Sequence, residues 1–141
     1  LRAAVWPARM ELVRRNPDMI LDGGHNPQCM GALRRALEEL YPNRKILFMT
    51  GVLSDKDYPS MLGELLPLSK GFVTITPDSD RALSAGELAQ YLRQAGAEAQ
   101  PCGSVSEGIR TVLDLAQPDD VVCVCGSLYM IGEARHALGL C

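Results

Sequence analysis

The sequence predicts an α/β domain in which helices cover both faces of a mostly parallel sheet. Three observations point there. Apolar runs of five to seven residues ("DMILD", "KILFMTG", "GFVTIT", "DVVCVCG") recur along the chain. They are apolar almost throughout rather than alternating, as strands buried on both faces are. Between them lie helical stretches with their own start signals: Pro27 and Pro59 in first-turn positions, and the pairs Ser84/Glu87 and Ser104/Glu107 at capping-box spacing.

Each element follows from local chemistry. Residues 10–15 (MELVRR) form a short strand, which Asn16-Pro17 breaks. Residues 18–22 are a strand, and 28–41 place Met30, Leu33, Leu37 and Leu40 at helical spacing before Pro42-Asn43 ends the helix. Residues 45–51 are a fully apolar strand, 58–67 a short helix and 71–76 a further strand. A helix from Ser84 runs to about Gln94 and stops at Gly96. Residues 97–102 make a short strand weakened by Pro101, and a helix from Ser104 reaches about Leu115. The strand 120–126 and a helix over 127–136 close the chain. The expected architecture is a Rossmann-like three-layer αβα domain, with about six strands and a short antiparallel edge strand.

Composition narrows the function. With 14 Lys+Arg against 17 Asp+Glu, the chain has a formal net charge of -3 and no basic stripe, which argues against nucleic acid. No apolar run approaches a membrane span. Five cysteines at irregular spacing fit free thiols in a reducing cytoplasm. Cys123 and Cys125 share one face of a strand and read as small buried hydrophobes, with a metal or redox pair as the alternative. Leu1 opens the chain in mid-phrase, so a fragment of a longer protein is expected.

In parallel α/β sheets, ligands sit beyond the carboxyl ends of the strands. That rule gathers Asp22-Gly23-Gly24-His25, the segment 51–56, Thr76-Pro77-Asp78 and Gly126-Ser127 on one edge. None of them is a complete phosphate engine. The chain has no G-x-x-x-x-G-K-[ST] and no G-x-G-x-x-G, and its two histidines, His25 and His136, cannot build a His-rich metal site.

The motifs "PARMELV" (7–13), "ILDGGHNP" (20–27), "GVLSDKDY" (51–58), "DSDRAL" (78–83) and "CGSLYMIGE" (125–133) resemble, in order and spacing, the C-terminal domain of the folylpolyglutamate synthase/dihydrofolate synthase family. This is the folate branch of the Mur ligase superfamily. The resemblance covers nearly the whole chain, with one departure: Pro7-Ala8-Arg9 stands where the family usually has Pro-Gly-Arg. It implies an ATP-dependent ligase that adds glutamate to dihydropteroate or folate through an acyl phosphate. Residues 1–9 would be an interdomain linker remnant and 10–141 the glutamate ligase domain. The P-loop domain, with its magnesium ligands, would be the missing N-terminal ATPase half. The implied partners are therefore ATP, Mg2+, L-glutamate, dihydropteroate or folate, and that half of the same chain. The fragment alone would be inactive and would hold no metal. Two other readings stay open: a free-standing nucleotide or metabolite-binding module, and the C-terminal domain of a cell-wall amino-acid ligase.

The resemblance assigns roles residue by residue. Arg9 and Asp22 match ATP-binding positions. A planar guanidinium suits phosphate oxygens, while a strand-tip aspartate can equally form an Asx turn. His25 faces the reaction centre as a positioning residue, with Asp22 and Asn26 as neighbours able to fix its tautomer. Asn26 and Pro27 also suit a helix cap and first turn. Lys56, Ser127 and Tyr129 fall at the glutamate site, Lys56 as a point charge and Ser127 as a hydroxyl at a helix N-terminus. Each has a plainer reading: a surface loop lysine, an N-cap and a packing aromatic. Arg81 matches a family arginine without a role.

Overall fold

A computed structural model of the chain describes residues 10–140. The expectations for Arg9, for the linker and for Cys141 fall outside the described residues. One sheet carries β1 (Glu11–Arg14), β2 (Asp18–Asp22), β3 (Ile46–Thr50), β4 (Ser69–Thr74), β5 (Ala99–Pro101) and β6 (Val121–Cys125). The spatial order is β1-β2-β6-β3-β4-β5. Only the β1–β2 pair is antiparallel; the other four pairings are parallel. The helices are α1 (Pro27–Leu40), α2 (Tyr58–Leu65), α3 (Ala85–Gln94), α4 (Val105–Leu115) and α5 (Leu128–Ala137).

Strand periodicity splits the core into two layers. Ile20, Phe48, Phe72, Cys123 and Cys125 turn to one face and pack against Leu33 and Leu37 of α1, Met61 and Leu65 of α2, and Leu88 and Leu92 of α3. Met19, Leu21, Met49, Val73, Val122 and Val124 turn to the other and meet Ile109 and Val112 of α4 and Met130 and Ile131 of α5. Phe48 and Phe72 stack on neighbouring strands with centroids 5.4 Å apart. β6 is central and buried at all five positions, which explains its unbroken apolar run. Cys123 and Cys125 are fully buried free thiols. The hydrogen bond with Cys125, then burial, pushes the Cys123 thiol well up, so it stays protonated and packs as a small hydrophobe.

The caps form where the sequence places them. Asn26 Oδ1 accepts the Cys29 N–H at 2.8 Å, with Pro27 following at the first helical position. Ser84 and Ser104 accept the N–H of Glu87 and Glu107, both at 3.2 Å. The reciprocal half of the box differs in both: the Glu87 carboxylate accepts the Ser84 hydroxyl and the Glu107 carboxylate the N–H of Gly103. Most boundaries shift by a residue or two from expectation, and two of the shifts have a clear local cause. Beyond Leu65 the second helix tightens into a 3-10 turn, Leu66–Leu68, because Pro67 has no N–H to continue the α-helical ladder. β4 runs Ser69–Thr74 rather than 71–76, in register with Ile46–Thr50 of β3. Thr76 has left the ladder and its hydroxyl accepts the Ala85 N–H, holding the start of α3.

Chain direction sets up the site. The loops after β2, β3 and β4 lead to α1, α2 and α3 on one face, whereas β6, lying between β2 and β3, sends its chain to α5 on the other. That reversal is a topological switch point, and the strand tips beside it bound a crevice.

Candidate functional site

Gly126 builds the floor of this crevice. Its φ of +116° lies where side-chain-bearing residues rarely go. A Cβ there would stand 2.5 Å from Thr50 Oγ1 and 2.6 Å from the Gly51 carbonyl oxygen. The exits of β6 and β3 are thus in direct contact, and Ser127 is set, 2% exposed, as the N-cap of α5. Ser127 Oγ accepts the Tyr129 N–H at 3.1 Å, which leaves its own proton available to donate. Beneath lies the Thr50 hydroxyl, buried and without a hydrogen-bond partner among the described residues.

Loops from three further strands supply the walls. After β3, Lys56 enters a turn closed by its own N–H to the Leu53 carbonyl at 3.2 Å. Its acidic neighbours are both engaged elsewhere. Asp57 caps α2 by accepting the Ser60 N–H at 3.3 Å, and Asp55 pairs with Arg81 at 2.7 Å. The Lys56 ammonium has no ion pair or hydrogen bond among the described residues. The loop after β4 is zipped to this one: Leu53 bridges Ala82, and the Arg81 carbonyl accepts from both the Ser54 N–H (2.6 Å) and the Ser54 hydroxyl (2.9 Å). Hydrogen bonds with Tyr129 and Asp55 raise the Arg81 pKa above its ordinary value.

After β2, the His25 ring places Nδ1 3.3 Å from the Gly23 carbonyl. A carbonyl only accepts, so the tautomer making this bond carries its proton on Nδ1 and leaves Nε2 as an acceptor. The Gly23 carbonyl orients the ring, while Asn26 is committed to the α1 cap. Gly24 is forced by packing, since a Cβ would stand 2.7 Å from Cys29 Cβ.

These pieces meet in one cleft of ≈190 Å³, lined by His25, Lys56, Arg81 and Ser127 with Leu53 and the 126–129 turn. Drug-sized pockets run to about 300–1,000 Å³, so this space suits a ligand of amino-acid size rather than a nucleotide or a pterin. Lys56 and Arg81 outweigh Asp55, and the positive N-terminal end of the α5 dipole adds to them, so the cleft favours an anion. Leu128 and Tyr129 stand half-exposed on its rim.

Of the residues singled out from the sequence, the fold brings His25, Lys56, Ser127 and Tyr129 together. Asp22 is elsewhere. It is 1% exposed, its Oδ1 accepts the Met10 N–H and its Oδ2 the Gly24 N–H, each at 3.0 Å. Sequence reasoning had no role for Arg81 and did not single out Leu53 or Leu128. The only local sign of Arg81 was its place in "DSDRAL", because its acidic partner lies 26 positions away. Among the described residues no group of three or more His, Cys, Asp or Glu could hold a metal ion, and no helix is long and apolar enough to cross a membrane.

Comparison with known proteins places these features. The family described as "Mur ligase, glutamate ligase domain" matches residues 8–128. A probable bifunctional folylpolyglutamate synthase/dihydropteroate synthase of Halobacterium salinarum is 35% identical over 136 residues, 96% of this chain and 16% of that protein. The bifunctional folylpolyglutamate synthase/dihydrofolate synthase of Yersinia pestis, solved with AMPPNP and Mn ion, superposes with a TM-score of 0.87 at 32% identity, over 98% of this chain and 32% of that one. A solved enzyme of the same description, holding Mn, AMPPNP and L-glutamate, superposes with a TM-score of 0.88 at 32% identity, over 99% of this chain and 33% of that one. The chain thus spans a third or less of the length of these relatives.

Proposed function

Because the chain belongs to the family of Mur ligase glutamate ligase domains, we propose that it is the glutamate-handling domain of a folylpolyglutamate synthase/dihydrofolate synthase. One observation carries this reading. An uncommitted ammonium, Lys56, faces the same small cleft as a hydroxyl donor, Ser127, at a helix N-terminus. Such a pair grips carboxylate oxygens and leaves an amine free. The amine of L-glutamate would then attack a folate or dihydropteroate carboxylate activated by ATP as an acyl phosphate. His25, oriented through Gly23, lines the cleft with Nε2 open and positions the attacking amine.

The nucleotide belongs to the other half of the enzyme. The family resemblance assigns Mg2+ and most of ATP to an N-terminal P-loop domain of the full-length chain, and the small size of the cleft is consistent with that division. Arg9 matches the family arginine that binds the ATP phosphates. Asp22 serves the same side by fixing the Met10 N–H, the backbone group next to Arg9. Free thiols suit a cytoplasmic enzyme. The folate relatives support the folate branch over the cell-wall branch.

Steady-state kinetics on the full-length ligase test this. Lys56→Ala should raise the glutamate KM roughly 10-fold, the equivalent of about 1.4 kcal/mol, and move the ATP KM much less. Ser127→Ala should do the same, but loss of the α5 cap also costs about 0.5–2 kcal/mol of stability, so Lys56→Ala is the cleaner variant. An unchanged glutamate dependence in both places the amino acid elsewhere.

A further inference from the structure

We propose that Arg81 is a positioning residue for Lys56: by engaging Asp55, it keeps the adjacent carboxylate from neutralising the ammonium that receives the incoming carboxylate. The inference rests on the glutamate reading of the cleft and adds a residue to it. It starts from a difficulty. Lys56 sits between Asp55 and Asp57, and a lysine flanked by two acids is a poor anion trap, because the nearer acid can satisfy it. The structure disarms both acids. Asp57 is spent on the α2 cap, and Asp55 is turned to Arg81 at 2.7 Å. The Arg81 guanidinium holds the Asp55 carboxylate across the two zipped loops after β3 and β4.

The pair does little for the fold itself. Its side chains are 53% and 48% exposed, and exposed ion pairs contribute little to stability. The two loops are joined instead through backbone groups: the Arg81 carbonyl to Ser54, and the Leu83 N–H to the Val52 carbonyl at 3.0 Å. Truncating the Arg81 side chain leaves those bonds in place. Its effect should therefore show in substrate affinity. Without Arg81, Asp55 can reach the Lys56 ammonium, and the cleft loses its net positive charge. Removing the Asp55 charge as well restores both.

The test is a set of variants in the full-length ligase, each checked for an unchanged melting temperature. Arg81→Ala should raise the glutamate KM about 10-fold, with kcat within about 3-fold of wild type. Arg81→Lys, which keeps a cation for Asp55, should recover most of that loss. The double variant Arg81→Ala/Asp55→Asn should return the glutamate KM to within about 3-fold of wild type, the coupling expected of residues in one charge network. A double variant as impaired as Arg81→Ala would mean that Arg81 holds the substrate itself, and would overturn the proposal. So would an Arg81→Ala enzyme with a normal glutamate KM when Lys56→Ala is impaired. If Lys56→Ala is also normal, the glutamate reading itself falls, and this proposal with it.

Discussion

Replacing Asp22 with alanine separates what its carboxylate does for the fold from what it does for a nucleotide. The side chain is 1% exposed and accepts two backbone N–H groups at 3.0 Å, one on each oxygen. Hydrogen bonds to a charged acceptor contribute about 1.5–3 kcal/mol each. Removing a buried carboxylate also releases its desolvation penalty, and water can replace it at half-buried Met10, so the net loss should be about 2–4 kcal/mol. Total stability of a domain this size is about 5–15 kcal/mol, so the variant should still fold. With a urea dependence of about 1–3 kcal/mol per molar, its unfolding midpoint, followed by far-ultraviolet circular dichroism, should fall by about 1–2 M. Asp22→Asn keeps one acceptor oxygen and should lose roughly half as much. A wild-type midpoint for Asp22→Ala would refute the structural argument and leave the carboxylate as a pure ligand group.

Two further predictions concern the frame around the cleft. Gly126→Ala combines a positive φ with clashes at Thr50 and Gly51; it should cost about 2–4 kcal/mol in a chemical melt, and a loss below about 0.5 kcal/mol would show that the β6 exit relaxes freely. Tyr41 donates to Asp18 at 2.9 Å, and its phenol is pushed up to about 12, first by burial and then by Asp18. A raised value means that the fold binds this proton more tightly than the unfolded chain does. The stabilisation is therefore complete below the ordinary value of 10 and is lost as pH rises through 12. The stability difference between wild type and Tyr41→Phe should shrink across that window, and a constant difference would contradict the assignment.

What was legible in the sequence was local or strongly periodic. Cap residues act within three positions, so Asn26, Ser84, Ser104 and Ser127 could be read directly, and each caps its helix. Fully apolar runs announced buried strands, and β6 is buried throughout. Its insertion between β2 and β3 could not be read, because strand order depends on contacts about a hundred positions apart. The end of β4 was misplaced for a related reason: Ile75 and Thr76 have strand propensity, but β3 ends at Thr50, whose carbonyl accepts the Ile75 N–H, and Thr76 turns to hold α3. At the site, single residues at strand tips were found, whereas their pairings were not. The burial of Asp22 and its two backbone N–H partners, Met10 and Gly24, could not be read from its place at a strand tip. The pairing of Arg81 with Asp55, on which its proposed role rests, joins residues 26 positions apart.

The central claim, that the cleft at the carboxyl edge receives L-glutamate, is tested most directly by a crystal structure of the full-length ligase with L-glutamate and a non-hydrolysable ATP analogue. The account predicts carboxylate oxygens of the amino acid within about 3.2 Å of Lys56 Nζ and Ser127 Oγ, with its amine free of both. Glutamate bound outside this cleft, with the Lys56 ammonium facing solvent, would contradict it.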